Sequence, residues 1–216
     1  MKIEKKIFLN RDDASARLSN ILPIDSMKYE NWIVLATSSG GVPIGIQLAN
    51  ELEAEFDFIF TQKVNATKND ECEIAIVTET GEIVIHEELM RSFRLDLDEI
   101  YEEANLKYIS DIATYKAEYR DSLDIIDLEN KNVLLVDEGL NTGLTMMACI
   151  KSVINNGAKS ICVAVPVLPS VTRYDIESIA DDLYYVQAPE HFVSIDFYYN
   201  DLETISLDKI KILKGK

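Results

Sequence analysis

The sequence predicts an α/β domain built on a mostly parallel open sheet flanked by helices. Three observations carry that reading. Short aliphatic and β-branched runs at 33–36, 133–136 and 161–165 have the uninterrupted apolar character of strands buried on both faces. These runs alternate with helical patterns, and alternation of that kind builds parallel sheets with helices on both sides. Glycine-containing loops follow two of the strands and open helices, as expected at the carboxyl edge of an open sheet, where ligands bind.

In chain order, residues 10–21 predict a short helix, with Asn10 or Asp12 as cap and Ala14, Leu18 and Ile21 as its apolar positions. The strand at 33–36 runs into T-S-S-G-G-V-P and a helix at 44–52, with Pro43 in its first turn. A third strand at 56–62 ends in Lys63, whose charge either reaches the same cleft or is simply solvated. Residues 64–88 are the least regular. Two β-branched runs around Thr80-Gly81 predict a hairpin with His86 at its edge, and Lys68 is the one base there, with no role assigned. From 89 to 120 the pattern is one long helix, with Leu97, Ile100, Ala104, Tyr108, Ile112 and Tyr115 at three- and four-residue spacing. Acids dominate its other face, so it packs on the sheet or on a partner subunit.

After the strand at 133–136, a helix beginning at Met146 ends in an Asn156-Gly157 cap. The strand at 161–165 is ended by Pro166 and Pro169, a helix at 171–180 follows, and a last strand spans 183–187. The tail gathers Phe192, Phe197, Tyr198 and Tyr199 away from helical spacing.

The 216 residues fit one domain, 1–216, with 64–120 as a hairpin and helical excursion. A net charge of −17, from 38 acids and 21 bases, argues against a nucleic-acid backbone or an anionic membrane as partner. A site for a polyphosphate must then rely on local bases, backbone amides or metal. The opening residues lack the apolar core of a signal peptide, and the longest apolar run, near 161–168, is far below the ~20 residues of a membrane span. Cys72, Cys149 and Cys162 are odd in number and widely spaced, which suits isolated thiols in a reducing cytoplasm. Two histidines, His86 and His191, are too few for a histidine metal site or a Ser-His-Asp triad.

The stretch with the most chemistry is 132–146, N-V-L-L-V-D-E-G-L-N-T-G-L-T-M. A loop between a strand's carboxyl end and a helix N-terminus gathers backbone N–H groups and about half a positive charge, which suits an anion such as phosphate. Gly139 and Gly143 permit tight turning, and Thr142 and Thr145 add hydroxyls. Asp137 and Glu138 would repel phosphate, so sugar hydroxyls or a hydrated Mg²⁺ are their natural partners. An ordinary β-loop-α turn with two solvated acids also fits.

This stretch resembles the PRPP-binding motif of type I phosphoribosyltransferases: four hydrophobics, two acids, Gly, two variable residues, Thr-Gly and a later Thr. PRPP is 5-phosphoribosyl 1-pyrophosphate. The closest likeness is to a bacterial subgroup with A-L-P-R-G-G, V-R-K and V-D-D-G-I-A-T-G-A-T-M segments and a P-E-x-F tail; here these read Ala36-T-S-S-G-G, Thr61-Gln62-Lys63, Val136-D-E-G-L-N-T-G-L-T-M and Pro189-Glu190-His191-Phe192.

The resemblance implies the type I phosphoribosyltransferase fold with a small hood from the chain ends, 188–216 forming part of it. It implies Mg²⁺-dependent transfer from PRPP to a nitrogenous acceptor. Gly139, Leu140, Asn141, Thr142, Gly143 and Thr145 would hold the 5′-phosphate and ribose. Asp137 and Glu138 would be catalytic and reach Mg²⁺ through water or ribose hydroxyls. Ser38, Ser39, Gly40, Gly41 and Lys63 would face pyrophosphate, and a mobile excursion near 64–88 would close over the substrate. Phe192 and Tyr198 would stack on a base, or else belong to the core of the tail. Ser39 departs from the pattern, because it stands where the family has Arg and offers only a neutral hydrogen bond.

The partners implied are PRPP and an unnamed acceptor, with a homodimer left open. A PRPP- or nucleotide-sensing regulator and a scaffold using the acidic helix are the other classes. A Walker-type ATPase is remote, because the loop lacks the lysine.

Overall fold

The computed structural model of the protein describes residues 7–66, 69–121, 123–206, 208 and 210, with backbone only for 69–71. Helix α1 (Arg11–Ser19) and the single turn α2 (Ile24–Met27) precede β1 (Trp32–Ala36), α3 (Val42–Leu52) and β2 (Glu55–Phe58). The excursion holds β3 (Thr61–Ala66), β4 (Asn69–Thr78) and β5 (Ile83–Ile85), then α4 (Glu87–Phe93), α5 (Leu97–Lys107) and α6 (Ala113–Arg120). The chain returns through β6 (Asn132–Val136), α7 (Leu144–Asn155), β7 (Ser160–Val167), α8 (Ser170–Glu177) and β8 (Asp182–Gln187).

All neighbours in the main sheet are parallel, in the order β2-β1-β6-β7-β8. Chain progression reverses between β1 and β6, so the loops leaving their carboxyl ends diverge to form a crevice. The register Ala36↔Val136 sets the two loops side by side.

Both faces of the sheet are buried. Val34, Leu134, Val136 and Ala164 pack under Leu18 of α1 and Ile44 and Leu48 of α3. Ile33, Leu35, Leu135 and Val163 pack on the opposite side, against Met146, Ile150 and Val153 of α7. The alternation along each strand thus divides apolar residues between two helical layers.

Several boundaries differ from the sequence reading. The strand expected at 56–62 is two strands in two sheets. Ile59 N–H makes the last contact with the main sheet, to Ala36 O at 3.1 Å, and Phe60 N–H then turns to the Glu79 carboxylate at 2.8 Å. Lys63 therefore lies within β3, not at the end of a main-sheet strand. The hairpin at Thr80-Gly81 forms, with Gly81 at φ +84°, but β3 joins it in a three-stranded antiparallel sheet. Lys68 lies outside the described residues.

The expected single helix over 89–120 is broken at Arg94, which takes a left-handed conformation at φ 53°, before Asp96 caps α5. One π-helical turn, Tyr108–Ile112, joins α5 to α6. Ile100, Ala104 and Ile112 bury against Val64, Ile74 and Val77, so the insertion packs on the small sheet. His86 sits at the hairpin edge and also caps α4, accepting from Leu89 N–H.

Pro166 does not end β7, which runs on to Val167 and pairs with Gln187 of β8. β6 has stopped at Val136↔Ala164, so no ladder bond is lost on that side. Among the described residues, no helix is long and apolar enough to cross a membrane.

Candidate active site

The loops leaving β1 and β6 wall a cavity of about 670 Å³. Asp137 to Thr145 line one side, with Thr37 and Ser38 beside them; Lys63, Asn65, Cys72 and Glu73 of the small sheet and Leu89 of α4 line the other. The register of β1 and β6 accounts for the first group. The small sheet supplies the second, because the chain leaves the main sheet after Ile59 and enters β3.

Asp137 is buried, only 6% exposed. Thr37 Oγ1 donates to its Oδ2 at 2.7 Å, and Ser38 Oγ and the Glu138 N–H donate to its Oδ1. Burial raises its pKa to about 6, the Glu138 carboxylate adds to the rise, and the Ser38 and Thr37 hydroxyls oppose it.

Glu138 points a different way. Arg11 Nε donates to its Oε2 at 2.8 Å and to Gly40 O at 3.0 Å, and Arg11 Nη2 approaches the same Oε2 at 2.5 Å. A β-carbon on Gly40 would lie 2.1 Å from the Glu138 carboxyl carbon, so the carboxylate fills the space glycine leaves open. Gly41 is pressed instead against backbone: its β-carbon would meet Val136 O at 2.8 Å and Asp137 Cα at 2.9 Å. The Tyr199 hydroxyl donates to Glu138 O at 2.7 Å.

Beyond the acids, Leu140 N–H donates to Val167 O at 2.9 Å and Thr172 Oγ1 to Asn141 O at 3.1 Å, which anchor the loop to β7 and α8. Thr142 Oγ1 accepts from Leu144 N–H at 3.3 Å. Gly143 caps α7 at φ +78°, a conformation that side chains disfavour, and a β-carbon there would meet Thr172 Cγ2 at 2.6 Å. The helix starts at Leu144, two residues before the expected Met146.

The structure brings Asp137 through Thr145, Ser38 and Lys63 to one cavity. Lys63 is paired with Glu73 at 2.7 Å, so its charge is shared within the small sheet. Ser39 is half-exposed and is not in the cavity wall; Gly40 and Gly41 are buried against the acids. Phe192 and Tyr198 do not line the cavity either. Tyr198 is 1% exposed, with one face stacked on Phe192 at 5.4 Å and Phe197 edge-on at 5.2 Å, so it belongs to the tail's core and is no open stacking platform. Among the described residues, no group of three or more His, Cys, Asp or Glu could hold a metal.

Sequence reasoning missed Arg11, Thr37, Glu73 and Tyr199. Thr37 opens the quoted T-S-S-G-G-V-P turn, directly before Ser38, and could have been included. Arg11 and Tyr199 touch Glu138 across sequence separations of 127 and 61 residues, which no local spacing reveals.

The comparisons with known proteins agree with this geometry. A Mycobacterium tuberculosis protein (strain H37Rv) named "Putative phosphoribosyl transferase Rv0571c" is 25% identical over 205 residues, 95% of this chain, and the chain spans 46% of that protein's length. The crystal structure of TT1426 from Thermus thermophilus superposes with a TM-score of 0.75 at 26% identity, covering 96% of this chain and 97% of that one. A Staphylococcus aureus hypoxanthine phosphoribosyltransferase shares the fold at a TM-score of 0.51 and 14% identity, over 87% of this chain and 79% of that one. The phosphoribosyl transferase domain matches residues 10–200. With the parallel sheet, the switch-point crevice and the acid-glycine-threonine loop in place, the chain belongs to the phosphoribosyl transferase domain family and has the type I fold.

Proposed function

We propose that this chain transfers a phosphoribosyl group from PRPP to a nitrogenous acceptor with Mg²⁺, releasing pyrophosphate. The observation that carries the proposal is the convergence of two carboxylates and the 139–145 loop on one side of a single crevice. The start of α7 and the loop amides suit the 5′-phosphate, with Thr142 and Thr145 beside them. Asp137 and Glu138 suit the ribose hydroxyls. Ser38 and Lys63, which line the crevice, would serve the pyrophosphate side, with Lys63 exchanging Glu73 for the diphosphate.

In the reaction the bond from C1 of the ribose to the pyrophosphate oxygen breaks and a bond to the acceptor nitrogen forms. The nitrogen's proton leaves to a nearby base. A carboxylate titrating near 6, as Asp137 does, is close to the range a general base requires at neutral pH. The two acids with neighbouring hydroxyls fit a hydrated cation carried mainly by substrate oxygens, not one caged by protein, and such a cation would neutralise charge on the departing pyrophosphate. The cytoplasm is the proposed compartment.

The test is pyrophosphate release, measured with PRPP and Mg²⁺ against a panel of purine and pyrimidine bases. Turnover of at least one base is expected. Binding of PRPP without turnover of any acceptor would instead support a PRPP- or nucleotide-sensing protein, a second reading favoured by Ser39 standing where the resembling family has Arg.

A further inference from the structure

We infer that Arg11 is a positioning residue for Glu138, holding its carboxylate and the Gly40 carbonyl in one fixed arrangement from outside the loops that form the cavity. The inference rests on the proposed PRPP site and deepens it.

Arg11 and Glu138 have side chains only 10% and 19% exposed. The guanidinium spends two of its donors on one carboxylate oxygen, Oε2, and Nε is shared with Gly40 O. Among the described residues the second oxygen, Oε1, makes no hydrogen bond, while Glu138 lines the cavity. One oxygen is thus held and the other left for a ligand hydroxyl.

The same end of the molecule grips the Glu138 main chain. Tyr199 donates to Glu138 O, and Phe8, three residues before Arg11, pairs with Tyr199 in a parallel bridge with ring centroids 5.0 Å apart. The start of α1 and residue 199 therefore form one junction that sets both the side chain and the backbone of this acid.

A purely stabilising role explains this less well. A nearly buried ion pair costs desolvation that its attraction roughly offsets, and apolar replacements are often as stable. What the pair supplies uniquely is direction. It also brings a cation to the 38–41 loop, which has none of its own.

The test is calorimetric titration of PRPP with Mg²⁺ into the wild type, Arg11→Gln, Arg11→Lys, Glu138→Gln and the Arg11→Gln/Glu138→Gln double variant, with thermal unfolding of each. In the wild-type background Arg11→Gln should weaken binding about tenfold or more, the scale of a lost charge-assisted hydrogen bond. Arg11→Lys, which keeps the charge but not the fork, should fall between. In the Glu138→Gln background the Arg11 change should cost less than about threefold, because its target is gone. Equal effects in both backgrounds, or a lowered Tm with unchanged Kd, would overturn the inference. If Arg11→Gln does not fold, the same comparison is made with Arg11→Lys in both backgrounds. A wild type that binds no PRPP is read before any variant, and it overturns the proposed function together with this inference.

Discussion

Thr37 Oγ1 lies 2.7 Å from Asp137 Oδ2, so the first residue of one strand's exit loop solvates the acid at the head of its neighbour. Burial otherwise favours the protonated form, and the folded pKa of about 6 lies above the usual 3.8. A raised carboxylate pKa contributes stability that is complete below about pH 4 and is lost as pH rises to about 6. Any function that needs Asp137 ionised runs the other way, rising through about pH 6. PRPP binding measured against pH should show this acidic limb. Thr37→Val and Ser38→Ala each remove a group that lowers the pKa, so each should move the limb upward.

Gly40 and Gly41 should fail differently when a methyl is added. At Gly40 the obstacle is the end of a flexible side chain, so Gly40→Ala should displace the Glu138 carboxylate from Arg11. PRPP binding should fall with little change in unfolding midpoint. At Gly41 the obstacle is backbone, and Gly41→Ala should cost ~1–3 kcal/mol of stability, the range for overpacking. Urea unfolding beside PRPP titration separates the two.

Arg120 joins the helical insertion to the seam between the sheets. It donates to both Glu79 oxygens, at 2.9 and 2.8 Å, and to Phe58 O at 2.7 Å, with its guanidinium 4.7 Å from the centre of the Phe60 ring. Burial raises the Glu79 pKa, and Arg120 opposes that rise. Arg120→Met strands a buried acid and should lower stability by ~3–5 kcal/mol in urea unfolding, with much of the loss recovered in Arg120→Met/Glu79→Leu.

The three thiols should react unequally. Cys149 is buried, and burial drives its thiol far up in pKa; Cys162 is pushed up to about 12 for the same reason. Cys72 is half-exposed in the cavity wall. Iodoacetamide should modify Cys72 first, mapped by mass spectrometry, and PRPP with Mg²⁺ should slow that reaction.

The main sheet and the loop that leaves β6 are legible in the sequence because their signals are local. Val133 to Val136 are apolar at every position, which marks a strand buried on both faces, and the acids and glycines follow directly. The second sheet was hidden in an apolar run. Phe56 to Gln62 reads as one strand, and Glu79, nineteen residues beyond Phe60, captures the backbone and turns it away. The insertion reads as one helix because apolar spacing survives the break at Arg94. Arg11 was invisible in its role, since its sequence context is that of a capped helix start and its acceptors are 29 and 127 residues away. The tail aromatics carried no periodicity to show whether they faced ligand or core.

The hairpin turn after β4 is tied to α7 by three hydroxyls: Thr78 and Thr80 each contact Ser152, at 2.7 and 2.9 Å, and each other at 3.0 Å. Lys151 and Asn155, on either side of Ser152, both reach Glu82. The helix that begins at Leu144, in the cavity wall, is therefore also the post on which the opposite wall is hung, about two turns further on. The standing of the small sheet over the main one thus rests in part on α7 residues that do not line the cavity.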